Sequence, residues 1–257
     1  MLHNAIAGLV VGFLVGLTGM GGGSLMAPLL IYVFHYKAKI AVGSDLAYGA
    51  IARIFGSWQH YRNGSVDIAL ALKMSLGSVP GSLLGVWTLH AVDVRNSHSA
   101  ERLITHVLGV VLLLTAGALI AQSVPAVKLR VVRRQRLQGK PGFGAALAIG
   151  VILGFLVGMT SVGAGTLFAV ALLFVFGLGA KETVGTDMFH AVILSSAAAL
   201  GHLAVGDVSY PLVASLLAGA VPGIVVGSKV SLRTPEFVLR PTIAVVLIAS
   251  GLRTLLA

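Results

Sequence analysis

Long apolar runs, separated by short polar segments, dominate the chain from one end to the other. Asp, Glu, Lys and Arg are absent from residues 1–36, 103–127, 141–180 and 208–228. Each run is as long as the ~20 apolar residues that a helix needs to cross a hydrocarbon core of ~30 Å. A transmembrane β-barrel would instead alternate apolar and polar positions over ~10 residues. The pattern therefore predicts an all-α integral membrane protein.

The composition agrees with this prediction. Of the 257 residues, 57% are hydrophobic and 10% are charged, whereas soluble domains carry about 25% charged residues. Mean hydropathy is +0.98. A secretory signal peptide explains the N terminus poorly, because residues 1–4 contain no Lys or Arg and the apolar run continues past Pro28. We expect a multi-pass protein of the cell membrane, in direct contact with the lipid bilayer.

The chain contains an internal repeat. Moving the sequence by 142 positions aligns residues 8–85 with residues 150–227 without a gap, and about a third of the positions are identical. The fragment AKIAVGSDL, which begins at Ala38, corresponds to AKETVGTDM, which begins at Ala180. The repeat divides the chain into two membrane repeats, residues 1–122 and 142–257, joined by a basic cytoplasmic linker at residues 123–141.

Each repeat contains four apolar segments. They cover approximately residues 4–36, 41–61, 66–91 and 103–122 in the first repeat, and 144–178, 184–204, 208–230 and 238–256 in the second. A straight helix as long as either opening segment would measure about 50 Å, and glycines cluster in the middle of both segments. Glycine costs about 1 kcal/mol relative to alanine inside a helix. We therefore predict that both opening segments are broken helices.

These breaks allow two topologies. If the opening segments cross the membrane, the repeats are parallel; if they turn back as re-entrant hairpins, each repeat crosses three times and the repeats are inverted. With the linker in the cytoplasm, the first topology places two flanking Lys or Arg residues inside and eight outside, whereas the second places five on each side. The positive-inside rule therefore favours inverted repeats.

The linker holds a dense basic cluster without any acidic residue. Its members are Lys128, Arg130, Arg133, Arg134, Arg136 and Lys140. Such a cluster next to membrane segments is typical of a cytoplasmic loop that contacts anionic lipid. The net charge of +10 thus needs no nucleic acid to explain it, and we expect no nucleic-acid partner.

The two breaks form the candidate substrate site. Interrupted helices leave backbone N–H groups unpaired, which is costly in hydrocarbon unless protein, water or a solute binds them. Glycine N–H groups, hydroxyls and the positive end of the next helix together suit an anion, and paired broken helices are typical of transporter binding sites. Close helix packing is the alternative role for glycine, but Gly8, Gly12 and Gly16 already supply that spacing. The candidates are Thr18, Gly21, Gly22, Gly23, Ser24, Thr160, Ser161, Gly163, Gly165 and Thr166.

A second paired feature is Gly43-Ser44-Asp45, which corresponds to Gly185-Thr186-Asp187. A carboxylate within a membrane segment costs about 2.5–3.5 kcal/mol. Asp45 and Asp187 are therefore candidates for orienting helix ends or carrying a coupled proton. The alternative is that these motifs N-cap the second segments.

Three further polar residues occupy the second segments. Arg53 can clamp an oxyanion with two hydrogen bonds, or it can pair with Asp45 or extend to the membrane surface; its counterpart is Ser195. His60 corresponds to His202, and both are candidates for coupling a proton because imidazole titrates near neutral pH. The alternative is that they are wet interfacial residues. In the third segments, Pro80-Gly81 and Pro222-Gly223 predict an interruption or kink midway.

Three paired motifs resemble the TauE/SafE family of membrane permeases. They are GLTGMGGGSLMAPLL with its degenerate copy GMTSVGAGTLFAVAL, VGSDL with VGTDM, and VPGS with VPGI. The resemblance extends from Gly8 to about Leu256. It implies movement of sulfite, sulfonates or related sulfur oxyanions across the bacterial cytoplasmic membrane, and the substrate class comes from the resemblance alone. The second copy departs from the pattern, since Ser161 and Ala164 replace two glycines; this puts equal binding at the two breaks in doubt.

The sequence thus predicts a secondary transporter of a small anion, with sulfite or another sulfur oxyanion or sulfonate as the expected substrate. The site would lie between the two repeats. A passive anion channel and a non-transporting scaffold or sensor subunit are the alternatives. We expect no enzyme, because HExxH, GxSxG and P-loop signatures are absent, and no metal or cofactor. The oligomeric state stays open, a homo-oligomer included.

Overall fold

The computed structural model describes residues 5–6, 8–13, 23–123, 142–231 and 236–256. These residues are helical almost throughout and contain no strand, so the prediction of an all-helical protein is confirmed. Residues 8–13 are helical. The longer helices in the described ranges are α1 (Gly23–Tyr32), α2 (Ala38–Arg62), α3 (Ile68–Arg95), α4 (Ser97–Ser123), α5 (Phe143–Thr160), α6 (Leu167–Phe174), α7 (Ala180–Ala204), α8 (Tyr210–Ser231) and α9 (Glu236–Leu256).

The outer surface of the helical bundle is apolar. Five helices in the described part of the chain, α3, α4, α5, α7 and α8, are long and apolar enough to cross a membrane. Phe55 is 72% exposed, Trp87 66% and Leu200 65%. Soluble proteins rarely expose so much contiguous apolar surface, whereas lipid tails solvate it well. The chain is a multi-pass protein of the cell membrane, as predicted.

Two local predictions about helix continuity need correction. Helix α4 begins at Ser97, six residues before the predicted apolar segment, because the Asn96 side chain accepts hydrogen bonds from the backbone N–H groups of His98 (3.0 Å) and Ser99 (3.3 Å) and so caps a polar first turn. Helix α3 continues through Pro80 without interruption. Helix α8 likewise continues through Pro222. The predicted interruption at the two Pro-Gly pairs is therefore wrong, whereas the predicted kink stays a prediction.

Glycines bring α3 and α5 into close contact. A Cβ atom added at Gly81 would overlap the carbonyl oxygen of Val151, and one added at Gly154 would overlap that of Ser78. Residues 8–13 pack against α8 in the same manner, since Gly12 lies against the backbone of Ala220. The packing role predicted for the glycines every fourth residue from Gly8 is confirmed for those in the described range.

Helices α2 and α7 lie side by side and run antiparallel. Gly43, near the start of α2, contacts the backbone of Asp207 just after α7, while Gly56, towards the end of α2, contacts Met188 early in α7. Helices α4 and α9 are also antiparallel, because Gly109 lies against Leu255 and Leu113 lies against Gly251.

The second opening segment folds back on itself. Residues 161–166 are not helical and separate α5 from α6, which confirms the predicted break in this repeat. Phe143, where α5 begins, and Leu178, shortly after α6 ends, line the same cavity of about 260 Å³. Helix α5 has 18 residues and is about 27 Å long. The chain therefore enters the bundle, turns at residues 161–166 and returns to the same end.

Candidate functional site

The turn between α5 and α6, residues 161–166, is buried and tightly shaped. Ser161 has a φ of 61° and Gly163 a φ of 100°, so the backbone enters the left-handed region where a helix commonly ends. Thr160 stabilises this end, since its hydroxyl donates to the carbonyl of Leu156 (2.7 Å) and accepts from the N–H of Val162 (3.3 Å). The side-chain oxygens of Thr160 and Ser161 are thus committed to holding the turn.

Three consecutive backbone N–H groups of this turn have no acceptor among the described residues. Among the hydrogen bonds of the described residues, none has the N–H of Gly163, Ala164 or Gly165 as its donor. Thr166 precedes α6, whose first N–H, from Leu167, bonds to the carbonyl of Gly163 (3.1 Å). The three groups therefore lie at the positive end of α6, where an anion is favoured.

The turn meets an acidic residue of the first repeat. The Ser161 hydroxyl donates to Oδ2 of Asp45 at 2.8 Å, although the two residues are 116 positions apart. Asp45 is 2% exposed, so this hydrogen bond lies inside the bundle. Two features that the sequence identified separately, the glycine break and the Gly-Ser-Asp motif, are in direct contact across the two repeats.

Arg53 bends back along α2 towards the interior. Its guanidinium covers Gly49, where an added Cβ atom would lie 2.5 Å from Nη1, and Nη1 donates to the hydroxyl of Ser195 at 3.2 Å. Arg53 and Ser195 are 142 positions apart, which is the repeat offset. Arg53 therefore does not extend to the membrane surface, and the side chain of one repeat contacts its counterpart in the other.

Arg53 acts on two buried carboxylates but pairs closely with neither. Its charge influences both Asp45 and Asp187, yet within the described ranges no carboxylate oxygen lies within 4.0 Å of its guanidinium. Asp187 is 4% exposed, and its Oδ1 has no hydrogen-bond partner among the described residues. The cation thus keeps donor capacity that a bound oxyanion can use.

The glycine and hydroxyl of each Gly-Ser/Thr-Asp motif join the repeats. Ser44 accepts a hydrogen bond from the N–H of Ser209 (3.0 Å), and Thr186 accepts one from the N–H of Asp67 (2.9 Å). Because α2 starts at Ala38 and α7 at Ala180, neither motif caps its helix. The N-cap alternative is therefore wrong. In each motif the glycine allows close contact, the hydroxyl binds a loop of the other repeat, and the aspartate places a carboxylate in the interior.

The two predicted histidines lie in the last turns of α2 and α7. His202 is fully buried; its Nε2 lies 2.8 Å from the carbonyl of Gly158, and its Nδ1 lies 3.7 Å from Asp207. Nδ1 of His60 lies 3.0 Å from the hydroxyl of Ser65. No described hydrogen bond or ion pair links either histidine to Arg53. A wet interfacial position is wrong for His202.

The other predicted site residues occupy the first break. Gly23 and Ser24 form the start of α1, whereas Thr18, Gly21 and Gly22 lie outside the described residues. In the described ranges, no group of three His, Asp or Glu residues could hold a metal ion.

Sequence reasoning missed two elements of this region. Gly49 lies midway between Asp45 and Arg53, and the spacing of four residues could have revealed one shared helix face. The second is a buried pair in which Nε2 of His190 lies 2.8 Å from the hydroxyl of Ser78. A separation of 112 residues gives no sequence signal for that contact.

A helical bundle with an apolar outer surface and buried polar groups at its centre is typical of a multi-pass membrane protein. Residues 4–254 match the family model described as sulfite exporter TauE/SafE, and the chain belongs to that family. The resemblance recognised in the sequence motifs is confirmed.

Curated relatives cover almost the whole chain. A probable membrane transporter protein, YjnA of Bacillus subtilis, is 40% identical over 96% of this chain and 97% of its own length. A second Bacillus subtilis protein with the same description, YdhB, is 26% identical over 95% of both chains. No solved structure matches significantly. Transport is the property that these names share.

Proposed function

We propose that the protein is a secondary transporter of a small anion, with sulfite or another sulfur oxyanion or sulfonate as its substrate. The single observation that carries the proposal is the row of three N–H groups at the buried turn between α5 and α6 that have no acceptor in the described part of the chain. The match to the sulfite exporter family supports the substrate class. An anion could also pair with Arg53, which is partly buried and has no carboxylate oxygen within 4.0 Å among the described residues.

In this proposal the substrate lies between the repeats. Gly163 and Gly165 would donate backbone N–H groups, as would Gly21, Gly22 and Gly23 at the first break. Arg53 would clamp the oxyanion. Hydroxyl contacts would come from Thr18, Ser24 and Thr166, since Thr160 and Ser161 already donate their hydroxyl protons to Leu156 and Asp45.

We also propose that residues 1–122 and 142–257 form inverted repeats. Corresponding helices support this: α2 runs antiparallel to α7, and α4 runs antiparallel to α9, whereas parallel repeats would place corresponding helices in the same direction. The reciprocal bonds of Ser44 with Ser209 and of Thr186 with Asp67 fit a twofold relation between the halves. Transport would then occur by one repeat rocking against the other.

A topology reporter tests the inverted arrangement. The end of α9 lies at the face where α4 begins, opposite the linker, since the two helices are antiparallel. A phosphatase fused after Ala257 should therefore be active in the periplasm, and a phosphatase inserted in the linker should be inactive. Equal signals from both fusions would contradict inverted repeats.

Flux into proteoliposomes tests the function itself. We expect saturable uptake of labelled sulfite, acceleration by unlabelled sulfite on the opposite side, and competition by small sulfonates. Flux that neither saturates nor shows such counterflow would indicate a passive channel. Absence of flux for every sulfur oxyanion and sulfonate would overturn the proposal and favour a scaffold or sensor.

A further inference from the structure

We propose that Asp187 carries a proton that crosses the membrane together with the anion, and that Asp45 does not. This inference rests on the proposed function and assigns its coupling ion. It starts from a difference between two carboxylates in corresponding positions, both almost fully buried. Asp45 accepts the Ser161 hydroxyl at 2.8 Å, whereas Oδ1 of Asp187 has no partner among the described residues.

The difference has a reason in the sequence. Under the 142-residue offset, Ser161 corresponds to Gly19. Glycine has no hydroxyl, so position 19 lacks the side-chain donor that position 161 supplies to Asp45. A buried carboxylate is expensive when it lacks donors, and protonation removes that cost. Asp45 is thus held as a hydrogen-bonded structural group, while Asp187 is free to exchange its proton.

Among the groups around Asp187, one charged side chain is placed to respond when Asp187 gains or loses a proton. The helices packed against α7 include α2, α3, α5 and α6. Helices α5 and α6 contain no ionisable residue, and on α7 itself the nearby His190 is bonded to Ser78. The ionisable side chains on α2 are Lys39, Asp45, Tyr48, Arg53, His60, Tyr61 and Arg62, and those on α3 are Lys73, His90, Asp93 and Arg95; Asp67, just before α3, bonds through its N–H to Thr186. Of these, Arg53 contacts α7 through Ser195, about two helical turns from Asp187.

This arrangement links the proton to the anion. When Asp187 is ionised, its charge is balanced by Arg53, and a second negative charge beside the pair is repelled. When Asp187 takes a proton from water on the side to which the site is open, the guanidinium is available to the anion. After the repeats rock, the anion leaves, and Asp187 releases its proton on the other side. One proton and one anion therefore move in the same direction.

Proteoliposomes with an imposed pH gradient test this coupling. Methanesulfonate is the probe, because its sulfonate stays ionised and proton movement then reports on the protein alone. At one proton per anion, a gradient of one pH unit should drive about tenfold accumulation on the alkaline side, and an enclosed pH dye should record acidification. Asp187→Asn should lose the accumulation and the dye signal while still exchanging labelled for unlabelled probe.

Two further variants keep the test specific. Glu101→Gln, which removes an exposed carboxylate of α4, is the matched control and should retain the response to the gradient. Asp45→Asn tests the companion carboxylate: its flux can fall because the Ser161 bond is lost, but the flux that remains should still follow the gradient. A uniform elution profile in detergent shows that each variant is folded. Exchange without proton movement in the wild type, or loss of coupling in Asp45→Asn but not in Asp187→Asn, would overturn the inference. If the wild type exchanges neither methanesulfonate nor sulfite, the proposed function fails instead.

Discussion

Helices α2 and α7 occupy corresponding places in the two repeats but differ sharply at the bundle centre. Near the start of each helix, a hydroxyl, from Ser44 in α2 and Thr186 in α7, accepts a backbone hydrogen bond from the loop that follows the other helix. We call this contact the joint. Beyond the joint, α2 presents Gly49 and Arg53, where α7 presents Ala191 and Ser195. The two repeats therefore share one scaffold, whereas Arg53, the cation that we propose to bind the substrate, comes from the first repeat.

Exchanging Arg53 and Ser195 tests this difference, and we expect it to have the largest effect on anion binding. Arg53→Ser should weaken anion binding by about 2 kcal/mol, or about 30-fold, because a charged hydrogen-bond donor is lost. The double variant Arg53→Ser with Ser195→Arg should recover most of the affinity, since the guanidinium returns from the opposite helix. Saturation of sulfite uptake provides the measurement.

Arg62→Ser is the control for that exchange. Arg62 lies at the exposed end of α2 over the ring of Trp58, so its loss should leave sulfite affinity as it is. A folded double variant that binds no better than Arg53→Ser would mean that the two positions do not face one common site.

A Gly→Ala substitution at the joint should destabilise the protein equally in the two repeats. Gly43→Ala and Gly185→Ala each place a methyl group against a carbonyl oxygen, of Asp207 and Ser65 respectively, and overpacking of this kind costs about 1–3 kcal/mol. Both variants should lower the melting temperature in detergent by similar amounts.

Gly117→Ala is the matched control for the joints. Nothing lies within 4 Å of a Cβ atom added there, and alanine favours the helix by up to about 1 kcal/mol. Its melting temperature should stay level or rise. A clear difference between the Gly43 and Gly185 variants would argue against equivalent joints.

The smallest effect should come from Gly49→Ala. The added methyl displaces the guanidinium of Arg53, which is the flexible end of its side chain, without removing its charge. We expect sulfite affinity to fall by less than about 1 kcal/mol, or severalfold, with stability retained. Ala191→Gly, at the corresponding position of α7, should not change affinity; an equal loss there would assign the effect to general helix packing.

Much of the scaffold followed from sequence. Apolar runs gave the helices, and the 142-residue repeat located both joints. The break at residues 161–166 was predictable because glycine destabilises a helix wherever it occurs. At Pro80 the local preference gave the wrong prediction. The helix continues through this proline because α3 packs closely against α5 there.

The sequence by itself determined the membrane environment, the repeat and the residue types that can bind an anion, since these depend on composition and local backbone preference. Only the tertiary structure decided which polar groups meet. Ser161 reaches Asp45 and Arg53 reaches Ser195 because antiparallel α2 and α7 bring distant positions together. The residue types at positions 161 and 19 differ in the sequence, but only the packing shows that the Ser161 hydroxyl meets the carboxylate of Asp45.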